Sequence, residues 1–491
     1  MNKRLTAAVC LAALMAAPIY GTPQDAGNTA NWQPIPNPVM PDPVLEKRID
    51  GILAAMTLEQ KVGQMIQAEI RNATPADVRK YALGSVLNGG GSFPQTNKQA
   101  KPGDWLALAD AYHDAAVDVG GTRIPVLWGT DAVHGHNNVF GATLFPHNLG
   151  LGAANDPALV EAVGVATAEE VTATGIGWVF APTVAVASDF RWGRTYESYS
   201  ENPDIVKSLG TALVNGLQGR AGSPDFLRHN RVIATTKHFI GDGATADGVD
   251  QGDARIGEAE LAAVHGAGYR GTLGAGAQTV MVSFNSWQGK KLHGHEYLLN
   301  QVLKGRLGFD GIVVSDWNGI GQVSGCSNAD CVPAVLAGID LFMVPEEWKA
   351  FHGNLLASVK RGQVPMTRID DAVRRILRVK LRADWMQARR SIRSCSRRST
   401  HASPKPPPTV WPLSAPITGT SISSSDRNGA YIAYERSCGA ASGGGPLGSL
   451  RWSVDLKSAP DEKHGPVPVT TMARMLASAR AALLATTNAS S

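Results

Sequence analysis

Eight short apolar runs alternate with segments of helical periodicity, and this alternation restricts the possible folds more than any other feature of the sequence. The runs are Met65–Ile70, Gly84–Leu87, Ile124–Trp128, Trp178–Val184, Val232–Thr236, Thr279–Phe284, Ile312–Ser315 and Leu341–Val344. Short runs that are mainly apolar, without strict alternation, are typical of parallel strands buried on both faces. Helix-start signals lie between them, such as Asn202 followed by Pro203. The alternation therefore predicts a parallel α/β fold.

Polar side chains follow nearly every one of these runs, and their distribution favours a closed sheet over an open one. They are Glu69, Asn88, Asp131, Asp189 with Arg191 and Arg194, Lys237 with His238, Asn285, Asp316 and Glu346. A barrel gathers the carboxyl ends of all its strands around one axis, whereas an open sheet spreads them along a line. We therefore predict a (β/α)8 TIM-type barrel as the catalytic domain over residues 45–383, with a doubly wound open sheet as the alternative.

The two ends of the chain differ from this body in composition. Lys3 and Arg4 precede an apolar run from Leu5 to Ala17, which is typical of a secretory signal peptide and is too short to span a bilayer. We predict a signal peptide over residues 1–22, an extended arm over 23–44 and a poorly structured, disordered tail over 384–491, which is dense in Ser, Arg and Pro. The protein is expected to be periplasmic or secreted and not to span a membrane.

The distribution of charge argues against a nucleic-acid partner. The formal charge is +4, but the tail holds 13 of the basic residues and only six acidic ones, so the main body is mildly acidic and no nucleic-acid partner is expected.

Cys326 and Cys331 lie five apart in a polar loop, and an oxidising compartment favours a disulfide between them. His134 and His136 lack a third ligand at suitable spacing, so no metal is predicted. Oligomeric state is not indicated.

The stretch Gly308 to Ile320 carries the strongest sign of chemistry. A buried strand ends at Ser315, and Asp316 and Trp317 follow at once. A carboxylate at the carboxyl end of a barrel strand, beside an indole that can hold a pyranose face, suits a site that cleaves sugars. The alternative is that Asp316 only caps the following turn.

Three further stretches offer polar groups to the same end of the barrel. Asp131 could accept hydrogen bonds from sugar hydroxyls or merely stabilise a turn. Either Arg191 or Arg194 could reach the pocket, or both could belong to a surface salt-bridge loop. Lys237 and His238 end the fifth strand directly; a Schiff-base lysine is an alternative for Lys237, although no phosphate-binding feature accompanies it.

Six stretches together resemble glycoside hydrolase family 3, on its exo-β-glucosidase branch. They are MTLEQKVGQM, GTDAVHGHNNVFGATLFPHN, RWGRTYESYSENP, KHFIGDG, VMVSFNSWQGKKLHG and LGFDGIVVSDWNGI, all within residues 45–381. The resemblance implies that Asp316 is the catalytic nucleophile and that Asp131, Arg194, Lys237, His238 and Met281 bind the terminal glucosyl unit. It also implies that Trp317 contributes to the acceptor subsite and that no cofactor is required.

The resemblance also implies a barrel followed by an α/β sandwich domain that supplies the acid/base glutamate. The tail has no alternation of strand and helix, so we interpret it as a truncated or frameshifted remnant in place of that domain. The expected function is a retaining, exo-acting β-glucosidase on β-glucans or cello-oligosaccharides, with activity impaired by the missing acid. The alternative is a catalytically inactive glucoside-binding protein.

Overall fold

All eight predicted strands form and lie side by side in chain order in a computed structural model of the chain. The barrel strands are β1 Ile66–Glu69, β2 Ser85–Asn88, β3 Leu127–Thr130, β4 Trp178–Val179, β5 Ile233–Phe239, β7 Thr279–Val282, β10 Ile312–Val314 and β11 Phe342–Met343; β6 Asp253–Ala254, β8 Ser286–Trp287 and β9 Lys290–Lys291 form a separate small sheet. Every pair of neighbours in the barrel is parallel.

The two outer strands of this sheet, β10 and β11, meet through a parallel bridge between Val314 and Leu341. The Ser315 N–H donates to the Leu341 carbonyl at 3.0 Å, and the Leu341 N–H donates to the Val313 carbonyl at 3.1 Å. The sheet is therefore a nearly closed barrel of the (β/α)8 type, as the sequence predicts, and the doubly wound alternative is wrong. Closure places all the carboxyl strand ends around one axis.

The structure describes residues 27–117, 124–228 and 230–383, together with the backbone of four short strands in the tail. Ala430–Ala433 pairs antiparallel with Ser453–Leu456, and Arg436–Ser437 pairs antiparallel with Ser449–Leu450. The predicted signal peptide and the remainder of the predicted tail lie outside the described residues. No helix in the described part of the chain combines the length and the apolar character needed to cross a bilayer.

Helices surround the barrel and follow its strands. They are α1 Pro43–Ala55, α2 Leu58–Gln64, α3 Pro75–Tyr81, α4 Pro102–Val117, α5 Asn148–Ala154, α6 Pro157–Ala173, α7 Pro203–Gln218, α8 Glu258–Glu260, α9 Ala267–Gly274, α10 Val332–Ala337, α11 Trp348–Lys360 and α12 Met366–Arg382, with wider π-helical turns at Leu261–His265 and Tyr297–Arg306. Asp42, Asp156 and Asn202 cap helices that begin with proline, because each side chain accepts the free N–H groups of a first turn. The first helix thus begins at Pro43, inside the range 23–44 that the sequence predicts to be an extended arm.

The fourth strand is shorter than the sequence predicts. The apolar run continues to Val184, but the strand ends at Val179. The Phe180 N–H still donates to the Thr130 carbonyl of β3 at 2.9 Å, but Pro182 has no N–H to donate, so pairing with β3 stops before it. Hydrogen bonds with β5 continue past Val179, from the Thr235 N–H to the Ala181 carbonyl and from the Lys237 N–H to the Pro182 carbonyl, as far as an isolated bridge between Thr183 and Lys237. The loop that carries Arg194 follows this bridge.

Residues 27–42 form a strap along the outside of the barrel. Trp32 is buried, and its indole N–H donates to Glu258 Oε1 at 2.8 Å. The same carboxylate accepts the Asn28 N–H and the Tyr297 hydroxyl, and Arg306 Nε donates to the Trp32 carbonyl at 2.7 Å. The strap is thus held by one buried aromatic anchor and charge-assisted hydrogen bonds.

One lysine is buried in α12 without a carboxylate among its hydrogen-bond partners. Lys380 Nζ donates to Gln64 Oε1 at 2.7 Å and to the Gly84 carbonyl at 2.9 Å. Burial lowers the pKa of Lys380 to about 7, because an ammonium group loses its hydration in the core. Most of the other buried side chains are apolar and form one continuous core.

Candidate active site

Asp316 lies directly after β10 at the carboxyl end of the barrel. All three residues of this strand are buried, as is Ser315, whose Oγ accepts the Met343 N–H at 2.8 Å. The Asp316 backbone N–H donates to His293 Nε2 at 3.0 Å, and its carboxylate Oδ1 accepts the Trp317 N–H at 2.7 Å. Both the backbone and the side chain of Asp316 are therefore fixed by hydrogen bonds, and only 14% of the side chain is exposed.

Burial controls the ionisation of this carboxyl group. Desolvation raises the pKa of Asp316 to about 6, although the charges of Lys237 and Arg194 and the Trp317 N–H favour the ionised form. The nearby charge of Asp131 acts in the same direction as burial. Asp316 is thus a carboxylate at neutral pH, but one that is costly to keep charged. A poorly solvated carboxylate held by few hydrogen bonds is suited to nucleophilic attack.

Lys237 and Asp131 form an ion pair beside it. Lys237 Nζ lies 2.9 Å from Asp131 Oδ1; the Lys237 side chain is buried, whereas 44% of the Asp131 side chain is exposed. Asp131 directly follows the end of β3, and Lys237 lies near the end of β5. The buried Lys237 therefore fixes the orientation of the Asp131 carboxylate, which is partly exposed and can accept hydrogen bonds from a ligand.

Of the two arginines in the loop after β4, only Arg194 reaches the site. Arg194 binds Glu197 through two hydrogen bonds, Nε to Oε1 at 2.8 Å and Nη2 to Oε2 at 2.9 Å. Burial opposes the ionisation of Glu197, but these bonds and the charge of Arg194 hold its pKa below the ordinary value. Arg191 instead pairs with Asp189 at the surface. Planar bidentate pairing leaves the rest of the Arg194 guanidinium available for a ligand.

The His238 ring lies between Arg194 and Asp316 on one side and Asp242 on the other. Its Nε2 lies 3.2 Å from Arg194 Nη2 and 3.6 Å from Asp316 Oδ2, while its Nδ1 lies 3.0 Å from Asp242 Oδ2. Burial, together with the charges of Arg194 and Lys237, lowers the pKa of His238 well below its ordinary value. The imidazole is therefore neutral and acts through hydrogen bonds.

The two remaining predicted site residues lie in different surroundings. The Trp317 indole is partly buried and lies against Gly89, just after β2, where a Cβ atom would come within 2.5 Å of the ring. Glycine is therefore required at that position for the indole to approach. Met281 lies on β7, in register with Val314, and packs in the hydrophobic core. A role for Met281 in binding substrate stays a prediction.

The two histidines considered as metal ligands pack against neighbouring side chains, and the two loop cysteines form a disulfide. His136 is buried against Thr174, and the His134 ring lies 4.0 Å from that of His147. Across the described ranges, no three His, Cys, Asp or Glu side chains are grouped as a metal site would require. A disulfide joins Cys326 to Cys331, with an S–S distance of 2.13 Å.

Comparison with known proteins gives this arrangement a family. Residues 57–379 match the family described as the glycosyl hydrolase family 3 N terminal domain. The chain belongs to glycosyl hydrolase family 3. The matched region contains the whole barrel and every group described around Asp316, so the family 3 assignment rests on the part of the chain that forms the site.

Relatives in family 3 cover a range of β-glucan and β-glucoside enzymes. An exo-1,3/1,4-beta-glucanase from a Pseudoalteromonas species is 54% identical with a TM-score of 0.71, over 72% of this chain and 44% of that one. A beta-glucosidase from Listeria innocua, solved in complex with glucose, is 25% identical with a TM-score of 0.60, over 73% of this chain and 49% of that one. A lysosomal beta glucosidase of Dictyostelium discoideum is 31% identical over 68% of this chain and 43% of its own length.

The chain therefore spans about half the length, or less, of these family 3 relatives. The similarity covers the barrel. It does not by itself transfer the activity of the longer relatives to this chain.

Three residues that organise the family 3 site are not among the site residues predicted from the sequence. Glu197 holds Arg194, Asp242 holds His238, and His293 accepts the backbone N–H of Asp316. Asp242 and His293 lie inside stretches that already resemble the family, and Asp242 follows His238 by four residues. That spacing is the only signal in the sequence that could have indicated the pair, and it is weak because the intervening chain is a loop.

Proposed function

We propose that this chain is a retaining β-glucosidase that acts on terminal, non-reducing β-D-glucosyl residues. The observation that carries the proposal is the position of Asp316, a buried carboxylate 3.6 Å from His238 and close to the charges of Arg194 and Lys237. A nucleophile among fixed hydrogen-bonding groups is what attack on an anomeric carbon needs. The names of the relatives support β-glucosides and β-glucans as substrates.

In the proposed reaction, Asp316 attacks the anomeric carbon and the leaving oxygen departs, which forms a glucosyl-enzyme. Water then attacks the same carbon and releases glucose, so the configuration is retained. Asp131, Arg194, Lys237 and His238 would bind the sugar hydroxyls and hold the ring for attack, with Met281 lining the pocket. Trp317 would contact the aglycone, since its indole is partly buried beside Asp316.

The proposed reaction assigns no side chain of the described residues to protonate the leaving oxygen. Among the described residues, the three other carboxyl groups of the site are each paired: Asp131 with Lys237, Glu197 with Arg194 and Asp242 with His238. We therefore propose that substrates with good leaving groups react much faster than disaccharides, because they need less protonation. Signal-directed export to the periplasm or the medium is part of the same proposal and rests on residues 1–22 alone.

The test is turnover of para-nitrophenyl β-D-glucoside by the full chain, compared with cellobiose and laminaribiose. Asp316→Asn should reduce turnover by roughly 1000-fold or more, since it removes the nucleophile. A glucoside with fluorine next to the anomeric carbon should accumulate on the enzyme, and mass spectrometry should place the adduct on Asp316. An adduct on another residue would overturn the assignment.

The alternative is a glucoside-binding protein without turnover. It predicts that glucose binds, as measured by calorimetry, while the aryl glucoside is not hydrolysed and no adduct forms. Equal and rapid hydrolysis of cellobiose and the aryl glucoside would instead show that an acid acts in this chain beyond the carboxyls described above.

A further inference from the structure

Asp242 is a buried carboxyl group that the proposed reaction does not use. It lies in a short turn four residues after His238, and only 6% of it is exposed. Its Oδ1 accepts the Gly243 N–H at 3.1 Å, and its Oδ2 lies 3.0 Å from His238 Nδ1. Each oxygen thus has its own fixed partner.

The other side of the His238 ring determines where its hydrogen lies. Arg194 Nη2 lies 3.2 Å from His238 Nε2. A guanidinium nitrogen can only donate, so Nε2 must accept, and the hydrogen of a neutral ring must then be on Nδ1. A carboxylate at Oδ2 of Asp242 is the acceptor that this hydrogen requires.

We propose that Asp242 is a positioning residue of the glucosyl site: by keeping the hydrogen on His238 Nδ1, it makes Nε2 the acceptor that holds Arg194 beside Asp316. Glu197 holds the same guanidinium from its Nε and Nη2. Two side chains, Glu197 and His238, therefore fix the Arg194 guanidinium from two directions. This inference rests on the proposed function, because it assigns a purpose to the position of Arg194.

Asn at position 242 would reverse the hydrogen-bond pattern. The Gly243 N–H fixes the amide oxygen in the place of Oδ1, so the amide nitrogen would face His238 Nδ1 as a donor. The hydrogen of the ring would then move to Nε2, where it would point at an Arg194 N–H. Two donors in contact repel, and Arg194 would be displaced from the site.

The pH response follows from the same geometry. Burial raises the pKa of Asp242 to about 7, while the charge of Arg194 opposes the rise and that of Glu197 adds to it. The charged and titratable side chains around the pair are Arg194, Glu197, Lys237, Tyr269, His293 and Asp316. As the pH falls through about 7, Asp242 should take up a proton and its O–H should donate a hydrogen bond to Nδ1, so that Nδ1 becomes the acceptor and the single hydrogen of the neutral ring is on Nε2.

The test compares the full-length wild type, Asp242→Asn and Asp242→Glu. Long-range proton–nitrogen spectra of ring-labelled histidine report the tautomer directly, with the His238 signal identified by its loss in His238→Gln. Above the pKa of Asp242 we expect the hydrogen on Nδ1 in the wild type and in Asp242→Glu, and on Nε2 in Asp242→Asn. The change of tautomer on acidification should occur in the wild type and be absent from Asp242→Asn.

The kinetic arm uses para-nitrophenyl β-D-glucoside. Asp242→Asn should lower kcat/KM by roughly 10- to 100-fold, mainly through KM, because a misplaced binding group weakens the fit of the sugar. Asp310→Asn is the matched control: Asp310 lies just before β10, pairs with Arg382, and should leave kcat/KM unchanged.

A wild-type ring with its hydrogen on Nε2 would overturn the inference, as would wild-type kcat/KM in an Asp242→Asn protein. If Asp242→Asn does not fold, the wild-type spectrum and Asp242→Glu still decide. If the wild type shows the expected tautomer but does not hydrolyse the glucoside, the proposed function fails and the tautomer assignment stands. Glucose affinity measured by calorimetry then replaces kcat/KM as the readout.

Discussion

Replacing Asp316 by Asn should make the protein more stable while it removes the activity. The folded environment raises the pKa of Asp316 from 3.8 to about 6. A pKa difference of roughly two corresponds to about 3 kcal/mol against the ionised form, which is an upper bound on the gain. Asn is neutral, has nearly the same shape and can still accept the Trp317 N–H, so the substitution relieves the burial of charge without opening a cavity.

The sign of the effect fixes its pH dependence. A carboxyl group whose folded pKa is raised binds protons more tightly in the folded state, so its cost is fully present above about pH 6 and disappears as the pH falls below its ordinary value. Denaturant unfolding of both proteins should therefore show Asp316→Asn to be more stable by about 2–3 kcal/mol near neutral pH. The difference should vanish near about pH 4.

Asp310→Asn provides the opposite control, because Asp310 lies before the start of β10 and Asp316 lies after its end. Burial disfavours the charge of Asp310, but its hydrogen bond to Arg382 holds its pKa below the ordinary value. The same substitution at that end of β10 should therefore lower stability at neutral pH. Loss of stability in Asp316→Asn, or an equal gain at neutral and acidic pH, would refute the account of Asp316 as a charge held at a cost.

Three further outcomes are expected. For the aryl glucoside, kcat/KM should fall as the pH drops through about 7, as Asp242 is protonated and Arg194 is displaced, and should fall further below about 6, as Asp316 becomes protonated; a profile that stays flat well below about pH 6 would exclude Asp316 as the nucleophile. Lys380→Met should be more stable than the wild type at neutral pH. This difference should shrink by about 1.4 kcal/mol per pH unit above about pH 7, because Lys380 loses its proton in the folded wild type and the buried charge disappears. A difference in denaturant unfolding that does not change with pH would contradict this. Trp32→Ala should cost about 3–5 kcal/mol, as buried aromatic truncations do, with kcat/KM per folded molecule unchanged; loss of activity without loss of stability would show that the strap acts on the site.

Local sequence pattern was sufficient for the barrel. Each strand is a short apolar run, and each capped helix start carries a side chain that can accept free N–H groups, so both are encoded within a few residues. The boundaries that differ have local causes: Pro182 ends the pairing of this segment with β3, and Asp42 followed by Pro43 starts the first helix inside the predicted arm. The order of the strands then follows, since parallel strands joined by helices pair with their neighbours in the chain.

The sequence by itself determined that Asp131, Lys237, His238 and Asp316 lie at the carboxyl ends of barrel strands. It could not separate Arg191 from Arg194, because the two are alike and three residues apart; only the folded loop directs one to Glu197 inside and the other to Asp189 at the surface.

Nor could it show that Asp242 and His293 support the site, or that burial moves the pKa of Asp316 to about 6. Hydrogen-bond partners and desolvation depend on what surrounds a side chain in three dimensions, and those surroundings come from strands and loops distant in the chain.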